Sequence, residues 1–200
     1  EPAKLALSND GGTLYTHLRG ANAIRRFDTA NQTSGLQFSL PFSNYNVVDL
    51  LVLPGSTDSL VVSRGSDGVK IYDNGFARPL SANIFGGDLE HNGTPNVIYA
   101  FDGATPSSLS KLAVDANGLS VLNTFRWVTE IANQNILFES GRLYTNQGRV
   151  LDPETGAISG QFYPPGSYFG GQSIVVDSNL RKAFMLTSDS IVAFDMDTYN

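Results

Sequence analysis

The sequence predicts an all-β fold, a β-propeller of four-stranded antiparallel blades, and three observations predict it. A unit of about 40 residues recurs five times, the period expected of a propeller blade. Short apolar strands alternate with Asn-, Asp- and Gly-rich turns along the whole chain. The composition agrees: of 200 residues only 16% are charged, while 20 Gly, 20 Ser and 16 Asn supply turn chemistry.

The copies divide the chain at approximately 1–42, 43–83, 84–127, 128–166 and 167–200. In the first, Leu5 to Ser8 precedes the turn Asn9-Asp10-Gly11-Gly12, Leu14-Tyr15 begins the second strand, and Ile24 to Asp28 forms the third. The second runs Val48 to Leu53, Leu60-Val61 and Val69 to Asp73; the third runs Phe85 to Leu89, Ile98-Tyr99 and Leu112 to Asp115. The fourth runs Ile136 to Phe138, Leu143-Tyr144 and Val150 to Asp152, and the fifth Ile174 to Val176, Ala183-Phe184 and Ile191 to Asp195. Fourth strands follow the closing Asp, as in Leu119 to Phe125 and Ile158 to Phe162. The window Val128 to Phe138 is too short and too Asn-rich for a helix and reads as a connection between blades.

The closing aspartates Asp28, Asp73, Asp115, Asp152 and Asp195 are spaced by 45, 42, 37 and 43 residues. An Asp at a strand end can accept a hydrogen bond from the backbone N–H two residues on, so their expected role is to fix turns. One blade has two faces, and alternation such as Val69-Lys70-Ile71-Tyr72 leaves apolar side chains that only a neighbouring blade covers. The fifth copy carries three strands, which leads us to expect continuation toward a seven-blade ring, with imperfect closure of five as the alternative. An unclosed array would expose apolar faces and self-associate.

With a net charge of −6, the chain lacks the Lys/Arg surplus that phosphate binding requires, and nucleic acid is not an expected partner. Neither Arg25-Arg26 nor Arg181-Lys182 forms a patch, since strand neighbours point to opposite faces. No apolar run approaches the length of a membrane span. Cysteine is absent, which removes disulfides and thiolate chemistry.

The stretch Leu5 to Tyr15 (Leu-Ala-Leu-Ser-Asn-Asp-Gly-Gly-Thr-Leu-Tyr), with Ile24-Arg25-Arg26-Phe27-Asp28-Thr29-Ala30, resembles the repeat of YVTN-type bacterial surface propellers and their quinoprotein-like relatives. The similarity runs through all five copies; Val61 replaces the aromatic in the second, and the third has a long loop from Asp102 to Ser108. The resemblance implies an exported bacterial protein, extracellular or periplasmic.

No constellation of catalytic groups stands out. His17 and His91 have no spaced partner, Gly166-Ser167-Tyr168-Phe169-Gly170 is not a nucleophile elbow, and phosphate-cradling Gly motifs are missing. Asp195-Met196-Asp197 begins like a calcium loop, though Tyr199 stands where an oxygen ligand is needed; calcium is the cofactor this stretch would take, and no other cofactor is expected. Aromatic residues in the connections, Tyr45 (with Phe42) and Tyr163, Tyr168 and Phe169, are the candidate ligand-binding residues, able to stack on a sugar or a peptide. The expected function is a noncatalytic extracellular module that binds protein or carbohydrate. The alternative is a propeller enzyme of the lactonase or quinoprotein-dehydrogenase type, with a metal or cofactor in the central channel.

Overall fold

The apolar alternation resolves into strands throughout. The structure, a computed structural model, describes residues 1–102, 107–126, 128, 135–165 and 171–200. Among these residues, nineteen strands form five consecutive antiparallel sheets. The first holds β1 (Pro2–Leu7), β2 (Thr13–Leu18), β3 (Ala23–Asp28) and β4 (Thr33–Ser39), the second β5 (Asp49–Val52), β6 (Ser59–Ser63), β7 (Val69–Asp73) and β8 (Phe76–Ala77). The third holds β9 (Asp88–His91), β10 (Val97–Asp102), β11 (Ser108–Asp115) and β12 (Gly118–Arg126). The fourth holds β13 (Ile136–Glu139), β14 (Arg142–Thr145), β15 (Arg149–Leu151) and β16 (Ile158–Gln161), and the fifth β17 (Ser173–Asp177), β18 (Lys182–Leu186) and β19 (Ile191–Asp195). In each sheet the strands pair in chain order. Among the described residues the helical segments are two 3-10 turns, Arg19–Ala21 and Gly65–Asp67, and no helix is long and apolar enough to cross a membrane.

The chain divides into two compact units, one built on Glu1–Asp102 and Ser110–Asn123, the other on Thr124–Asn200. In the first unit the second sheet is covered on both faces. Leu60, Val62 and Tyr72 point to one side and pack with Tyr15, Ile24 and Leu50, while Val61, Val69 and Ile71 point to the other and pack with Leu89, Ile98, Leu112 and Leu119. That is why β6 reads Leu-Val-Val without a polar break: a strand buried on both faces has no solvent side to mark. First strands lie side by side, β1 against β5 and β5 against β9. In the second unit β13 lies against β17, and Tyr144, Val150 and Phe162 pack with Ile174, Ala183, Met185 and Phe194.

Four closing aspartates fix turns. Asp28 Oδ1 accepts the Asn31 N–H at 2.8 Å; Asp115 Oδ1 accepts those of Asn117 and Gly118; Asp152 Oδ1 those of Glu154 and Thr155; and Asp195 Oδ1 those of Asp197 and Thr198. Asp73 differs. Its two oxygens take a forked pair of bonds from Arg78, at 2.7 and 2.9 Å, and a third from the Ser59 hydroxyl at 2.7 Å.

Two elements depart from the sequence expectation. The first strand of the third sheet begins at Asp88 rather than Phe85, because Gly86 and Gly87 form a close backbone approach instead of a strand. A Cβ on Gly87 would lie 1.7 Å from the Phe101 carbonyl oxygen, and the Gly86 N–H donates to the Gly65 carbonyl at 2.6 Å. The displaced strand carries His91 as its last residue. The fourth strand of the second sheet is only two residues long.

Candidate functional site

In the first unit, the connection from β4 to β5 is held by groups that its own sequence does not advertise. Asn22, in the left-handed conformation at φ 44°, donates from its side-chain amide to the carbonyls of Leu40 and Pro41. From the other side comes Arg64, the residue after β6: Nη1 donates to the Pro41 carbonyl at 2.9 Å and Nη2 to the Tyr45 carbonyl at 3.3 Å. The Tyr45 ring lies over Gly65, whose φ of +44° and missing side chain admit it; a Cβ there would be 3.2 Å from the ring. Residues 41–45 therefore form a strap pinned by an arginine and a glycine.

Beneath the strap is a cavity of about 300 Å³. Its lining combines the apolar Val62, Pro41 and Phe42 and the aromatic Tyr72 with the charged Arg64, Asp67 and Lys70. Antiparallel pairing sets Lys70 opposite Val62 and Tyr72 opposite Leu60, so all four residues share one face of the second sheet. Tyr72 is buried against Phe38, with ring centroids 5.4 Å apart, and burial pushes its hydroxyl pKa up. Phe42, by contrast, is 90% exposed, an aromatic ring left in water at the cavity mouth.

Electrostatically the cavity has an excess of cations. Arg64 is 6% exposed, its Nε has no hydrogen-bond partner, and Asp67 Oδ2 stands 3.7 Å from Nη1, beyond hydrogen-bond distance. Among the described residues, Lys70 has no carboxylate within 4 Å. The same region contains His17, 3% exposed with Nδ1 unpartnered. Burial holds its pKa below the usual histidine value, and the charges of Arg19 and Arg64 add to the effect.

Of the aromatic residues the sequence singled out, Tyr45 serves the strap while its neighbour Phe42 lines the cavity. Tyr163 belongs to the second unit, 73% exposed, with its hydroxyl donating to Gln161 Oε1 at 3.3 Å. Tyr168 and Phe169 lie outside the described residues. Arg64, Asp67 and Lys70 escaped the sequence reading because Gly65-Ser66-Asp67-Gly68 looks like a plain hairpin loop, and nothing local says that Arg64 will be buried. At the candidate calcium loop, the Asp195 carboxylate is engaged by backbone N–H groups and Asp197 pairs with Arg181. Among the described residues no three His, Cys, Asp or Glu side chains form a metal-holding group. No protein-family model and no curated protein matches this chain.

Proposed function

We propose that this chain is a β-propeller module that binds a partner, protein or carbohydrate, without catalysing a reaction, and that the cavity under the 41–45 strap is its binding site. The repeated sheets support the propeller reading: each strand pairs with its chain neighbour, and first strands lie beside first strands in both units. The observation that carries the binding role is Phe42, held 90% exposed at the mouth of a cavity lined by both apolar and charged residues. A hydrophobic ring kept in water beside convergent polar groups is the usual make-up of a small-ligand site, and 300 Å³ is room for one sugar ring or one amino-acid side chain. The resemblance of the repeat to YVTN-type propellers favours an exported bacterial protein acting outside the cytoplasm.

The test is a screen of the purified chain against arrays of monosaccharides, oligosaccharides and short peptides, run in parallel with Phe42→Ala. Hits that bind the parent chain and lose about tenfold in affinity with the variant support the proposal. Hits indifferent to Phe42, or a blank screen, oppose it.

A further inference from the structure

We infer that the cavity under the strap takes a carboxylate, carried on a ligand with an apolar or ring face; the inference rests on this cavity being the binding site. Its lining presents two cations, Arg64 and Lys70, against one carboxylate, Asp67. A cation as deeply buried as Arg64 needs acceptors, and it has two neutral carbonyls and an Asp67 oxygen too far away for a hydrogen bond. Its charge is therefore incompletely neutralised inside a wall of low dielectric, where an incoming anion feels it strongly. Lys70, half-buried and without a carboxylate partner among the described residues, can close on that anion directly through its ammonium N–H groups. Phe42 and Pro41 line the same cavity and fit the uncharged body of the ligand. A neutral ligand would use the apolar lining and leave the cations as they are; a dianion would overshoot the surplus. A monoacid with one flat apolar face matches both halves.

Two sources share this chemistry, an acidic sugar and a peptide carboxylate. Titration calorimetry on the full chain separates them, with sodium glucuronate against glucose as one pair and N-acetyl-phenylalanine against its amide as the other. The expected result is that the acid of at least one pair binds about tenfold tighter than its neutral partner, an advantage that shrinks with added salt. Whichever pair shows it names the source. Lys70→Gln should remove most of the advantage, while Asp67→Asn should enlarge it several-fold by deleting the competing carboxylate. Both positions are partly exposed, and an unchanged Tm establishes that the variants fold; Arg64 is left intact because it pins the strap. If acid and neutral partners bind alike and both are lost in Phe42→Ala, the cavity is the binding site and the carboxylate assignment is wrong. If an acid is preferred but Lys70→Gln and Asp67→Asn leave the preference unchanged, the assignment is also wrong. If none of the four binds, the assignment falls, and the screen with Phe42→Ala decides separately whether the cavity binds anything.

Discussion

Two titratable side chains, the buried His17 and the half-buried Asp49, should shape the pH dependence of stability in opposite directions. His17 has its pKa lowered by burial and by Arg19 and Arg64, so the fold holds it neutral. The unfolded chain takes up that proton near pH 6.5, and stability is therefore level above this value and falls as pH drops through the window below it. His17→Gln should flatten the decline in Tm between pH 7 and pH 5. Asp49, on β5, accepts the Leu89 N–H of β9 at 2.9 Å, and burial raises its pKa despite the nearby charge of Lys4 and a hydrogen bond shared with Asp88. Here the folded state holds the proton more tightly, so stability is lost as pH rises from the unfolded value of about 3.9 through the raised one. Asp49→Asn keeps an oxygen for Leu89 and removes the buried charge. It should raise Tm at pH 7 and leave it unchanged near pH 3, measured by calorimetry across that range. The turn-fixing role of Asp115, Asp152 and Asp195 was readable from sequence because an Asp and the N–H groups two and three residues on are joined by local geometry alone. The burial of Arg64 and His17 was not, since it arises when separate sheets close on one another.

At the scale of elements, the strands most clearly legible are those with one or two apolar faces, such as Val69-Lys70-Ile71-Tyr72. What composition cannot show is where backbone meets backbone. Gly118 joins a close approach to an unusual dihedral: its φ is +136°, and a Cβ would lie 2.0 Å from the carbonyl oxygen of Leu80, the same oxygen that accepts the Leu119 N–H at 3.3 Å. Gly118→Ala should cost about 3 kcal/mol or more, read from chemical denaturation, because the strained dihedral and the clash add. Arg78 is a second long-range stitch. Beyond its forked pair with Asp73, its Nη1 donates to the carbonyl of Asp115 at 2.6 Å, tying the end of β7 to the end of β11. Lysine cannot form the fork and reach the carbonyl together, so Arg78→Lys should cost about 1–2 kcal/mol. The half-exposed Asp73 carboxylate keeps the loss from being larger.

At the scale of the whole molecule, charge and uncovered apolar surface compete. Among the described residues, the first and fifth sheets each have one face packed and one exposed. On β1, Leu5 and Leu7 are 62% and 56% exposed; on the fifth sheet Val175 and Ile191 are 61% and 71% exposed. Register concentrates the second patch, because Val175 stands opposite Phe184, Phe184 opposite Ala193, and Leu186 opposite Ile191, all on one side of the sheet. Apolar faces of this kind drive association unless something opposes it. At neutral pH the opposition is a net charge of −6, which is lost near the pI of about 4.7. Sedimentation velocity should therefore show association that increases with concentration, weakly at pH 7.5 and strongly at pH 5. Leu5→Glu and Val175→Glu, which place charge on exposed positions without disturbing packed ones, should each reduce the association at pH 7.5 while leaving Tm nearly unchanged. A chain that sediments as a monomer at both pH values would mean that these faces tolerate water, and that their apolar residues serve the alternation of the strands rather than a partner.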